Sequence, residues 1–87
     1  MVHEKLQRAS EELRAAAEAA EGEEQERLEG QAEAFAKLAE RGADHGRLAR
    51  HENALREIKA ASSDGTVEHV EAAMAAITAY RETLDGV

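Results

Sequence analysis

The sequence predicts an all-α fold, an antiparallel up-down four-helix bundle. Three observations carry that expectation. Proline is absent from the 87 residues, and helix formers dominate, with 20 Ala, 16 Glu and 8 Arg. The apolar residues recur at spacings of three and four, the period of one helix face. Glycines or a Ser-Asp-Gly turn break that period, dividing a single domain, 1–87, into helices at about 3–21, 23–41, 45–62 and 66–84.

In the first element Val2, Leu6, Ala9, Leu13, Ala16 and Ala20 recur at 4, 3, 4, 3, 4. Gly22 then stops the helix as a C′ residue, where a left-handed backbone meets no Cβ. Beyond it the phase slips by one position. Continuing the first stripe would put Glu23 and Arg27 in the core, whereas Leu28, Ala32, Phe35, Leu38 and Ala39 fit one. A phase break at a glycine implies a turn. The alternative is one long helix through Gly22, costing about 1 kcal/mol relative to Ala; the fold is then a long helical hairpin with helices one and two fused, completed by dimerisation.

Helix two tolerates Gly30 and ends at Gly42, and Asp44 caps helix three. Leu48, His51, Leu55 and Ile58 share one face of that helix. Ser62-Ser63-Asp64-Gly65 is the clearest turn in the chain, after which the Thr66 hydroxyl is expected to cap helix four. That helix carries Val67, Val70, Met74, Ile77 and Leu84, with Tyr80 one position off the stripe, and ends near Asp85-Gly86. Glu4 with Arg8, Glu23 with Arg27, Glu33 with Lys37 and Glu52 with Arg56 are read as exposed pairs along single helices.

The surface is strongly biased. Acidic residues outnumber basic ones 19 to 11, a net charge of −8, and only 3 of the basic residues are Lys. Such a surface repels itself until salt screens it, which is the composition of a salt-adapted protein. The core is thin, because 20 of the 37 hydrophobic residues are Ala, so oligomerisation is a natural supplement. With no Cys there are no disulfides or thiolate metal sites. The acidic balance argues against nucleic acid. No apolar run reaches the roughly 20 residues a membrane helix needs. Met1-Val2-His3-Glu4-Lys5 has no apolar signal core, and the expected location is the cytoplasm.

Chemistry-bearing residue types concentrate in Asp44-His45-Gly46-Arg47-Leu48-Ala49-Arg50-His51-Glu52. One reading places Asp44, His45, Arg47, Arg50 and His51 as a contact for an anion or a partner's carboxylate at a helix N-terminus. The plainer reading has Asp44 capping, the arginines solvated and His51 packed between Leu48 and Leu55. His45 and His51 lie six residues apart, off the i, i+4 spacing of helical metal ligands. His3 and His69 fall at opposite ends of an up-down bundle, so no metal site, cofactor or catalytic residue is expected. Glu18 to Glu29 lack the turn and alternating ligands of a calcium loop. Ser10, Ser62 and Ser63 sit in no nucleophile motif, and the chain is not expected to be an enzyme.

Helix four also carries nine consecutive uncharged residues, Ala72 to Tyr80. A helix apolar all round is normally covered on every side, which makes Ala72, Ala75, Ala76, Ala79 and Tyr80 the candidate contact of a homodimer.

Three stretches, Gly22-Glu23-Glu24-Gln25-Glu26-Arg27-Leu28 leading to Gln31-Ala32, Asp44 to His51, and Ala79-Tyr80-Arg81-Glu82-Thr83-Leu84, carry a resemblance. They are similar to a family of small uncharacterised haloarchaeal all-helical proteins, over nearly the whole chain. That resemblance implies a salt-adapted, cytoplasmic protein and transfers no activity. Two function classes follow: a self-associating helical interaction or structural protein, docking an unidentified protein partner through Asp44–Glu52, or a small-ligand or anion-binding module using the same residues.

Overall fold

The computed structural model describes residues 2–84. Its helices are α1 (Glu4–Ala19), α2 (Gly22–Arg41), α3 (His45–Ala60) and α4 (Asp64–Arg81). Consecutive helices run antiparallel. At one end the His3 amide donates to the Ala39 carbonyl at 2.6 Å, tying the start of α1 to the end of α2, and the Ala43 amide donates to the Tyr80 hydroxyl at 3.3 Å, tying the α2–α3 turn to the end of α4. At the other end Glu18, Glu21, Ala61 and Ser63 surround a shallow depression.

The helices are packed unequally. α1 runs close along both α2 and α4, while α3 touches α4 less and α2 least. Side-chain size accounts for this. α1 buries the small residues Ala9, Ser10, Ala16 and Ala17 alongside Leu6 and Leu13, and small residues let helix backbones approach. The Ser10 hydroxyl donates to the Ala32 carbonyl of α2 at 2.7 Å, both buried. α3 presents Leu48, Leu55 and Ile58, which hold it farther off while filling the centre with Phe35, Leu28, Val70 and Ile77. Burying each such side chain contributes roughly 1.5–3 kcal/mol.

The expected stripes of α1 and α2 are the buried ones, except that Val2 is exposed, and Leu28, Ala32, Phe35, Leu38 and Ala39 all lie in the core. Helices one and two are separate. α1 ends at Ala19 and α2 begins at Gly22, whose φ of +63° turns the chain between them. The fused-helix alternative therefore fails: a left-handed residue cannot continue a right-handed helix. Gly42 closes α2 with φ +81°.

The start of α4 departs from expectation. The helix begins two residues early, at Asp64, with Ser63 in the N-cap position. Thr66 does not cap; it lies inside the helix, fully buried, and its hydroxyl has no hydrogen-bond partner. Asp64 and Gly65, read as a turn, supply the first helical turn instead. α4 ends at Arg81, followed by turn residues, and the expected stop at Asp85-Gly86 lies outside the described residues.

The residues of the expected exposed pairs Glu4–Arg8, Glu23–Arg27 and Glu52–Arg56 take other partners, some on the same helix and some on a neighbouring one. Arg8 turns forward to Glu12 at 3.2 Å, Arg27 of α2 reaches Glu57 of α3 at 3.9 Å, and Lys59 of α3 reaches Glu71 of α4 at 3.6 Å. Arg56 donates to Asn53 at 2.8 Å, leaving Glu52 for another partner.

Candidate functional site

The start of α3 holds the first group of candidate residues, Asp44 to His51. Asp44 is its N-cap: the carboxylate accepts from the Arg47 amide at 2.8 Å, satisfying one of the free donors of the first turn. That contact places a negative charge where an anion would otherwise bind. Arg47 and Arg50 are exposed and, with Asp44 and Gly46, line an open depression.

His45 and His51 face different neighbours, as their spacing requires. The His51 ring meets Phe35 edge to face, with centroids 4.9 Å apart, and its Nδ1 lies 2.8 Å from Gln31 Oε1 of α2. It is thus held against α2. Burial, and secondly the Arg47 charge, push its imidazole below the ordinary histidine range, favouring the neutral ring. His45 turns towards α4. Arg81 Nε donates to His45 Nδ1 at 3.0 Å, while Arg81 Nη1 donates to Glu52 Oε1 at 2.5 Å.

Glu52 was legible as a surface residue and is buried. Its side chain is 9% exposed, and Arg81 compensates the charge. A carboxylate in so acidic a chain carries no sequence signal of burial; position does, since Glu52 follows Leu48 and precedes Leu55 on the inward face.

Two further histidines tie helices together. The His3 ring meets Tyr80 edge to face, with centroids 5.5 Å apart. His69 of α4 donates through Nδ1 to Glu12 of α1 at 3.0 Å. The hydrogen bond from His69, helped by Arg8 and opposed by burial, holds the Glu12 carboxyl below its ordinary range. Among the described residues no group of three or more His, Asp or Glu is placed to hold a metal ion.

The uncharged segment of α4 divides between inside and outside. Ala73, Ile77 and Tyr80 are buried, and Ala76 and Met74 pack against the core. Tyr80, 6% exposed and bonded to the Ala43 amide, belongs to the chain's own interior rather than to an outer contact. Ala75 and Thr78 face outward, with Ala72 and Ala79 half-buried beside them.

Residues 1–83 match a family of unknown function, DUF7553. The chain belongs to that family. No curated protein and no solved structure matches it. Membership in DUF7553 carries no activity, so functional inference for this chain rests on its own residues. Among the described residues, no helix is long and apolar enough to cross a membrane.

Proposed function

We propose that the chain is a salt-adapted, non-enzymatic helical interaction protein of haloarchaeal type, acting in a salt-rich cytoplasm and self-associating through the outward face of α4. The observation that carries this reading is the make-up of that face. Ala75 and Thr78 stand exposed in an uncharged stretch, in a chain that is 34% charged. Exposed Glu68, Glu71 and Glu82 flank the stretch at both ends.

In a two-fold contact the same patch faces itself. Small Ala75 and Thr78 permit close helix approach, while the flanking carboxylates of the two copies repel. That repulsion acts over about 10 Å at 0.1 M salt and only about 3 Å at 1 M. Association therefore strengthens with salt.

Replacing Ala75 by Glu tests the contact, because Ala75 is exposed while Ala76 packs on the core. Light scattering near 1 M salt is expected to give two chains for the wild type and one for Ala75→Glu, with helicity retained. A dimer untouched by the substitution would place the contact elsewhere.

The exposure of Arg47 and Arg50 supports a second reading, a docking point on α3 for an acidic partner. The Asp44 carboxylate at the helix N-terminus disfavours a small free anion there. Reversing the charge at Arg47 and Arg50 is expected to lower partner recovery from the native host without altering any small-molecule thermal shift. The opposite pattern would favour a ligand site.

A further inference from the structure

α3 is held differently from the other three helices. It buries Leu48, Glu52, Leu55 and Ile58, fewer residues than any other helix, and one of them is charged. α1 is tied to α2 through the backbone: the Ala39 carbonyl accepts from the His3 amide, the Ala32 carbonyl from the Ser10 hydroxyl and the Ala17 carbonyl from Gln25 Nε2. Among the described residues, every polar link from α3 to a neighbouring helix joins two side chains. His51 meets Gln31, Arg81 holds His45 and Glu52, Arg27 reaches Glu57 and Lys59 reaches Glu71. The last two pairs lie at the surface, where an ion pair contributes little.

The sequence of α3 has a weak tendency to stay helical alone. Its 16 residues are close to the lower limit for an isolated helix in water, and Gly46, His51 and Asn53 are poor helix formers. Undocked, α3 therefore melts. Its ends permit this. The Ala43 amide just before it is pinned to the Tyr80 hydroxyl of α4, and beyond it Ala61 and Ser62 bond back to Ile58 and Lys59. The segment from Asp44 to Ser63 spans roughly 24 Å as a helix, a distance that a melted chain of this length, reaching about 3.3 Å per residue, crosses easily. α1 meanwhile packs closely along both α2 and α4 without α3 between them.

We infer that α3 is a separate opening unit: it undocks and unfolds while α1, α2 and α4 persist as a three-helix body. Opening uncovers Phe35, whose ring faces His51 in the closed state, and returns the buried Glu52 carboxylate to water. α4 keeps its place on α1, so the opening does not depend on self-association through the outward face of α4.

Hydrogen exchange of the full chain at one fixed pH, over a series of denaturant concentrations below the unfolding transition, tests this. The slowest amides of α3 are expected to share one opening reaction, with protection on the order of tenfold or more below that of the slowest amides of α1. That reaction should depend less steeply on denaturant than exchange in α1, α2 and α4, because it exposes less surface. Equal protection with a common denaturant slope in all four helices would overturn the inference. Gly30→Ala gives a second reading. Gly30 is exposed on α2 with open space where a Cβ would stand, and the substitution favours the helix of α2 whether α3 is docked or not. Protection of the slowest amides in α1, α2 and α4 is expected to rise about fivefold, with that in α3 unchanged. A rise of α3 in step with the others would show a single cooperative unit and overturn the inference.

Discussion

Glu12 of α1 accepts a hydrogen bond from His69 of α4 at 3.0 Å, joining two helices across 57 residues of sequence. The same carboxylate receives Arg8 at 3.2 Å. Because these partners lower the Glu12 pKa in the folded chain, the unfolded chain binds a proton there more readily. Their stabilisation is present above the ordinary carboxylate range and is lost as pH falls through and below it, between about pH 5 and 3. Urea unfolding at a series of pH values is expected to show this decline, and His69→Leu is expected to reduce it. An identical decline in the variant would remove His69 from the account.

His51 acts in a higher window. Its pKa is lowered in the folded chain, first by burial and then by Arg47, so unfolding takes up a proton across the histidine range. Stability is therefore full above that range and declines from about pH 7 towards pH 5. His51→Gln is expected to flatten this part of the profile. A profile unchanged by the substitution would mean that the ring is equally exposed in both states.

The glycines separate by conformation. At Gly42 a Cβ would lie 3.0 Å from His3 Nε2 and 3.1 Å from Tyr80 Oη, on a backbone with φ +81°. Gly42→Ala is expected to cost about 2–4 kcal/mol from strain and displaced neighbours. Gly22→Ala, in open space at φ +63°, costs about 1–2 kcal/mol from backbone strain alone. Gly30 is helical with nothing near its missing Cβ, and Gly30→Ala is expected to gain about 1 kcal/mol. Thermal melting ranks the three. A stabilising Gly22→Ala would contradict the separation of α1 from α2.

Thr66 is fully buried with an unpartnered hydroxyl. Thr66→Val keeps the shape and removes the polar atom, with an expected gain of about 1 kcal/mol. A loss of stability on chemical denaturation would show that the hydroxyl is satisfied in solution.

The apolar periodicity revealed most of the helical plan because the core helices repeat it without ambiguity. Leu28, Ala32, Phe35, Leu38 and Ala39 can share only one face of a helix, and they share the buried one. The polar anchors were less legible. Arg81 meets Glu52 across 29 residues and His69 meets Glu12 across 57, and nothing local marks either pair. Thr66 misled for a local reason, since a threonine after Ser-Asp-Gly has the chemistry of a cap, yet Asp64 and Gly65 had already begun the helix. Asp44, whose cap is closed by its own neighbour Arg47, was legible because the whole contact is local. Of the candidate site, Asp44, His45, Arg47, Arg50 and His51 are neighbours in sequence, but their division between α2, α4 and solvent depends on tertiary packing.

The most direct test of a salt-adapted, self-associating helical protein is the light-scattering mass of the wild-type chain as salt is lowered from about 1 M to about 0.1 M, where the screening distance grows from about 3 Å to about 10 Å. The account predicts a mass of two chains at the higher salt that falls towards one as the flanking carboxylates of α4 are unscreened. A mass of one chain at every salt concentration, or a dimer that strengthens as salt is removed, would contradict it.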